Sequence, residues 1–208
     1  IPAGILYRSS SPVNPELGRS TYADALVEKA GVKTAINLAD SQEELAAYEG
    51  YADSYYATLN VVALDMGVDF AAEDFNAKLK TGLEFLIANE GPYVIHCNEG
   101  KDRAGFTAAL LEAVCGASVG EIVEDYMRSY ENYYHVEYHS DRWFRIANSN
   151  IIKTLCTITG TETQADLEKA DLKAAAEAYL IGTVGLTAEQ VAALQSALTT
   201  PVTAEKAA

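Results

Sequence analysis

The stretch that decides the fold is Tyr93–Gly105, YVIHCNEGKDRAG. Tyr93 to Ile95 follow Gly91 and Pro92 and have the apolar, β-branched character of a short buried strand entered from a turn. Cys97 stands at the C-terminal end of that strand, six residues before Arg103, and a helix is expected to begin at about the arginine. A tight loop opening onto a helix N-terminus turns several backbone N–H groups inward together. The helix end adds partial positive charge, so the stretch predicts a cradle for an oxyanion. Gly100 and Gly105 permit the tight turn and the close backbone approach.

Upstream of this stretch, strand and helix patterns alternate. A short apolar segment, Ile5 to Tyr7, leads into the loop RSSSPVNP. Leu17, Tyr22, Ala25, Leu26 and Ala30 then fall at helical spacing before Gly31, where a left-handed cap is expected. VKTAINL (Val32 to Leu38) reads as a buried strand, SQEELAAYEG as a short exposed helix, and YYATLNVVALD as a strand ending near Asp65. Asp69 is placed to cap a helix with the stripe Phe75, Leu79, Leu83 and Leu86. Downstream of Ala104 the pattern is helical: AGFTAALLEAV, SVGEIVEDYMRSY, a segment around Trp143 to Leu155, DLKAAAEAYL, and LTAEQVAALQSAL with a Thr187/Gln190 capping box. The expected fold is α/β, a parallel-rich central sheet flanked by helices with a helical C-terminal half. The chain reads as one domain over 1–208, with a core of about 5–150, a helical extension of about 151–200 and a frayed tail at 201–208.

With 30 acidic against 15 basic side chains the formal charge is -15, which argues against attraction to nucleic acid or to an anionic membrane surface. An anionic substrate must therefore be drawn in locally. The chain contains no apolar run long enough for a membrane span. The three cysteines, Cys97, Cys115 and Cys156, are odd in number and not at metal-ligand spacing, so neither a disulfide framework nor a zinc site is indicated. His135 and His139 have i, i+4 spacing but no third ligand, and they read as surface residues.

A thiol held at a helix N-terminus beside cationic groups ionises more readily than a free one, and the thiolate is the nucleophile. The planar fork of Arg103 suits two oxygens of a phosphate and can neutralise charge in the transition state. Cys97 and Arg103 are thus the expected catalytic pair. His96, Asn98, Glu99, Gly100, Lys101, Ala104 and Gly105 complete the expected substrate-binding loop. Departure of an ester oxygen needs a proton donor. The candidates are Asp65, at the end of a strand and 32 residues before Cys97, and Asp102, inside the loop; Asp69 ranks third.

His96, Cys97, Gly100 and Arg103 match the H-C-x5-R signature of the protein tyrosine phosphatase superfamily. HCNEGKDRAG, with LYRSSSP near the N-terminus and INLADSQEE after the second strand, resembles the bacterial tyrosine phosphatase family with an HCxxGKDR loop. The resemblance spans about residues 5 to 150. It implies a cysteine-dependent phosphomonoester hydrolase with a phosphocysteine intermediate, without metal or organic cofactor. The implied partner is a phosphorylated substrate, phosphotyrosine protein or phosphoinositide. It gives Asp65 the place of the acid in compact dual-specificity members and Asp102 that of the acid in HCxxGKDR enzymes. It also implies that His96 packs under the loop and hydrogen-bonds backbone, and that Arg8 lies near the site, a surface salt bridge being the other account of Arg8. Export from a bacterial cell after signal removal is implied as well, the cytoplasm being the alternative.

Ala104 departs from the Ser or Thr that many superfamily members carry after the arginine. Slow hydrolysis of the phosphocysteine is expected from it, and it leaves room for a non-catalytic phosphate-binding relative. A rhodanese-type sulfurtransferase is a more distant alternative, because its usual loop is shorter. Lys101 is read either as a cation for polyanionic head groups or as a solvated lysine offsetting Glu99. Tyr126, Tyr130, Tyr134 and Tyr138 recur every four residues and read as core packing in preference to a wall for an aromatic substrate.

Overall fold

A computed structural model describes residues 1–201. Apart from Pro201, the expected frayed tail lies outside the described residues. Strands β1 (Leu6–Ser9), β2 (Thr34–Asn37), β3 (Asn60–Ala63) and β4 (Tyr93–His96) form one sheet in the order β1-β4-β2-β3, with every neighbouring pair parallel. Between them run helices α1 (Ser20–Lys29), α2 (Gln42–Ala47) and α3 (Glu73–Ala88). After β4 come α4 (Arg103–Val114), α5 (Val119–Tyr134), α6 (Asp141–Ser149), α7 (Ile151–Thr159), α8 (Gln164–Leu167), α9 (Leu172–Tyr179) and α10 (Ala188–Thr199). The α/β class with a helical second half is as the sequence predicts.

The two inner strands are buried along their whole length, and their side chains alternate between two cores. Ile36 and Ile95 join a large core that extends through α3 and α4 to Leu194 and Leu198 of α10. Ala35 and Val94 join a smaller one with Val27, Leu45 and Tyr56. Because all four strands are parallel, Ser9, Asn37, Ala63 and His96 end on one edge, and the loop out of the central β4 opens in the middle of that edge.

Helix α4 leaves the edge directly. Every residue of it except Arg103 and Glu112 is buried, as befits a helix apolar on all sides that lies between the sheet and the C-terminal helices. Gly105 admits Tyr126 of α5 against it, since a Cβ there would sit 2.7 Å from the tyrosine ring.

Three local expectations change. In α1 it is Ala23 and Val27 that face the core, while Tyr22 and Leu26 are 76% and 65% exposed. The helical spacing alone did not discriminate between adjacent faces. The strand expected to end near Asp65 shortens to Asn60–Ala63, because Tyr56–Thr58 form a 3-10 turn whose Tyr56 is fully buried. The segment around Trp143 to Leu155 is two helices, broken at Asn150 with φ -115° and ψ -84°. The Thr187/Gln190 capping box forms as expected, and Ser41/Glu44 and Ser118/Glu121 make two more.

Leu110 is fully buried on α4. Leu110→Ala is expected to lower unfolding stability by about 2–5 kcal/mol in urea denaturation. A loss well under 1 kcal/mol would mean that α4 is not the packed centre of the molecule.

Candidate active site

The loop Cys97 to Asp102 is held from beneath by the chain following β1. Ser11 N–H donates to the Asn98 carbonyl at 3.0 Å, and Arg8 Nη1 donates to the Gly100 carbonyl at 2.6 Å. The Arg8 side chain is 9% exposed; its Nε donates to Asp125 Oδ2 at 2.9 Å, and further bonds reach the Asp125 carbonyl and Ser129 Oγ. Arg8 therefore lies at the loop, as the resemblance implies, and its salt bridge to Asp125 belongs to the same arrangement. It is a half-buried clamp joining β1, the loop and α5. Gly100 has φ +72°, and a Cβ there would collide with the Ser9 carbonyl, so only glycine fits between the loop and β1.

Cys97 is buried, 3% exposed, at the end of β4. Arg103 opens α4, and its Nη1 donates to the Met66 carbonyl at 2.7 Å, with the Leu38 carbonyl at 3.5 Å. No acceptor is recorded among the described residues for its Nε and Nη2, which remain available to an anion. The two carbonyls belong to the loops after β3 and β2. The β2 loop is shaped by Asn37 Oδ1, which accepts from the N–H groups of Ala39 and Asp40, while Asp40 accepts from Asn37 Nδ2 and Tyr48 Oη. Met66 N–H closes the circuit on the Leu38 carbonyl at 3.0 Å. The arginine is thus oriented by two neighbouring loops in addition to its own helix.

His96 is fully buried under the loop, with Nε2 2.6 Å from Tyr56 Oη. Burial, reinforced by the charge of Arg103 and only partly opposed by the Cys97 backbone, pushes the imidazole down to about 3. It is neutral at ordinary pH, and its hydrogen bond is to the Tyr56 hydroxyl where the resemblance implied backbone.

Lys101 does not project freely. Its Nζ lies 3.0 Å from Glu99 Oε2, 3.6 Å from Asp102 Oδ2 and 3.3 Å from Tyr134 Oη, over the rings of Tyr130 and Tyr134. Partial burial works against its charge, but the bonds from Glu99 and Tyr134 outweigh it and raise the ammonium above its usual value. Glu99 is likewise held below its usual value despite burial, by Tyr134 and Lys101. Tyr126, Tyr130 and Tyr134 form a row of mutually tilted rings along α5 with centroids 5.8 and 5.5 Å apart, and only Tyr126 is buried among them. Tyr138 lies beyond the helix end, where His135 adopts φ 51° as the cap. His139 Nε2 is 2.8 Å from Glu124. Among the described residues no cluster of three or more His, Cys, Asp and Glu could hold a metal ion.

The aspartates separate. Asp65 is exposed at φ 44°, its N–H bonded to the Asp40 carbonyl and its own carbonyl to Lys78. Asp69 does not cap α3, whose N-cap is Ala72; its carboxylate accepts from Ala71 N–H. Asp102 and Asp69 both line a cavity of about 760 Å³ between the loop, α4 and α7, and Asp65 does not. Sequence reasoning missed Tyr56, Asp125, Ser129 and this cavity. The motif LYRSSSP pointed to Arg8, but no local signal named its partners on α5.

Behind the loop Glu112 is half-buried beside Asp125. Burial first and the Asp125 carboxylate second push it up to about 8, against the opposing charge of Arg8.

The sequence pattern of the tyrosine phosphatase family matches residues 1–200, well past the 5–150 stretch of the motif resemblance. No match is found among curated proteins. Among solved structures, the core catalytic domain of the PP-IP phosphatase SIW14 from S. cerevisiae, in complex with citrate, aligns at a TM-score of 0.42 and 19% identity, over 79% of this chain and 90% of its own.

Removing the clamp by Arg8→Met is expected to lower stability by about 1–3 kcal/mol, since the Gly100 carbonyl and Asp125 lose a shared partner; a neutral effect in urea denaturation would contradict the clamp. Glu112 gives a pH test. The folded protein keeps a proton that the unfolded chain releases above the ordinary carboxylate value of 4.5, so stability falls as pH rises from there to about 8. Glu112→Gln is expected to remove that decline and to raise Tm at pH 8 by about 2–4 °C relative to the parent, with little difference at acid pH. Equal pH profiles for the two proteins would rule out the raised carboxyl.

Proposed function

The chain belongs to the tyrosine phosphatase family, and we propose that it hydrolyses phosphate monoesters by way of a phosphocysteine on Cys97. A tyrosine phosphatase-like hydrolase is what the family supports; the residue roles are our reading. Cys97 attacks phosphorus in line as the thiolate, while the loop N–H groups, the N-terminus of α4 and the open side of the Arg103 fork take the equatorial oxygens. The leaving oxygen accepts a proton, and water then cleaves the S–P bond, returning the thiol and inorganic phosphate. The cycle as written uses no metal or cofactor.

The observation that carries this reading is the joint position of Cys97 and Arg103 at the two ends of one loop on the sheet edge, with Arg103 held by the carbonyls of two neighbouring loops. Asp102 is our choice as the acid, because it belongs to the loop and lines the adjoining cavity. Asp65 remains the second candidate, at a positive φ on the same sheet edge. For the substrate we favour phosphotyrosine over a polyanionic inositol head group. Lys101, the loop cation that would attract extra phosphates, is occupied by Glu99 and Tyr134. The continuous large core from Ile5 to Leu198 supports reading the chain as one phosphatase domain.

Hydrolysis of para-nitrophenyl phosphate in chelator is expected, with Cys97→Ser lowering kcat by about a thousandfold or more. Retained turnover in that variant would refute the reading. Asp102→Asn is expected to slow phenyl phosphate at least about tenfold more than para-nitrophenyl phosphate, whose leaving group needs less protonation. The same split with Asp65→Asn in its place would move the acid to Asp65; equal losses on both esters exclude whichever residue shows them.

A further inference from the structure

Strand β1 is an outer strand, with β4 on one side and, among the described residues, no strand on the other. Tyr93 N–H donates to the Ile5 carbonyl at 2.7 Å, and the register that sets Leu6 opposite Tyr93 continues this ladder along the strand. In a parallel ladder alternate residues bond to one neighbour. Tyr7 and Ser9 therefore use their backbone groups on β4, and those of Leu6 and Arg8 point outward with no strand to pair with. A row of such groups is a template for an added chain.

The space at that edge is a groove of about 670 Å³. Leu6 to Ser10 line it without a gap, and Leu26 of α1 and Tyr133 of α5 lie around them. Tyr7 and Leu26, 36% and 65% exposed, offer apolar surface to side chains of an occupant. The groove reaches the loop Cys97 to Asp102: Glu99 and Gly100 line it too, and Gly100 lies against the Ser9 carbonyl. A chain laid along β1 is thereby delivered to the rim of the loop that holds Cys97 and Arg103.

Charge defines the occupant further. In a chain of net charge -15, three of the six arginines, Arg8, Arg19 and Arg128, line this groove. Asp125 holds Arg8, Glu131 holds Arg128, and Glu99 is taken by Lys101. Arg19 is left without an ion pair among the described residues, its guanidinium carbon 3.0 Å from the centroid of the Tyr133 ring. An acidic side chain suits that cation. A second copy of this chain does not, because pairing β1 with β1 would set the same arginines of two molecules against each other.

Resting on the phosphatase reading above, we infer that β1 is a docking edge for the substrate polypeptide. An extended segment next to the phosphotyrosine adds as a fifth strand on Leu6 and Arg8, and one of its acidic side chains meets Arg19. Recognition then comes from the substrate backbone and reaches beyond the phosphorylated side chain.

The probe is the peptide acetyl-Val-Thr-Val-Glu-phosphotyrosine-Glu-Val-Thr-Val-amide, whose strand-forming flanks serve either chain direction. Its kcat/KM is expected to be about tenfold above that of N-acetylphosphotyrosine amide. Methylating the backbone nitrogens of the flanks one at a time is expected to cancel the gain at alternate positions only. Arg19→Glu is expected to bring the gain to near one, and a peptide with Lys in place of both Glu to recover it on that variant. Turnover of N-acetylphosphotyrosine amide with no gain for the peptide overturns the docking edge and leaves the phosphatase intact. A gain that every methylated peptide keeps overturns strand addition. Calorimetric binding of the same peptide without its phosphate, lost on methylation at alternate positions, with no turnover of any ester, overturns the phosphatase reading and upholds the docking edge.

Discussion

The Gly100 carbonyl, held by Arg8, is the contact on which the arrangement of the site depends. Through one guanidinium the first strand, the loop after the fourth strand and the middle of α5 are fixed to one another. The loop cannot move outward without breaking that bond, and it cannot move inward because Gly100 already lies against the Ser9 carbonyl with no room for a side chain. Cys97 and Arg103, at the ends of the loop, inherit their separation from this constraint and from the fully packed α4 behind it.

An acidic protein that handles an anion must solve an electrostatic problem, since its overall charge of -15 repels the substrate at long range. The solution here is local. The N-terminus of α4 and the unpaired side of Arg103 supply positive field at one point, while Lys101 is neutralised by Glu99 and His96 is kept uncharged by burial. Positive charge is concentrated at the loop, and the cavity next to it has an aromatic floor. This distribution of charge is what supports our proposal of a substrate with one phosphate on an aromatic group.

The parts of the site written in consecutive residues were legible. Tyr93–Gly105 contains the strand, the turn glycine, the thiol and the arginine, so the cradle follows from local rules. The alternating order of upstream patterns likewise predicted a parallel sheet. What could not be read depends on residues far apart in sequence. Asp125 meets Arg8 across 117 positions, Tyr56 meets His96 across 40, and the cavity draws on segments from Val68 to Thr183. The outward face of α1 was misjudged for a similar reason: Tyr22 and Leu26 have the spacing of a core stripe, and only the sheet surface beneath decides that Ala23 and Val27 fill it.

On the proposed mechanism a covalent phosphoryl group passes through Cys97, and the buried Ala104, which offers no hydroxyl next to Arg103, should make that species long-lived. The most direct measurement is mass spectrometry of protein acid-quenched within milliseconds of mixing with para-nitrophenyl phosphate. The expected result is the added mass of one phosphoryl group on the peptide containing Cys97, appearing with a burst of nitrophenol. Steady turnover with no burst and no adduct on that peptide would contradict it.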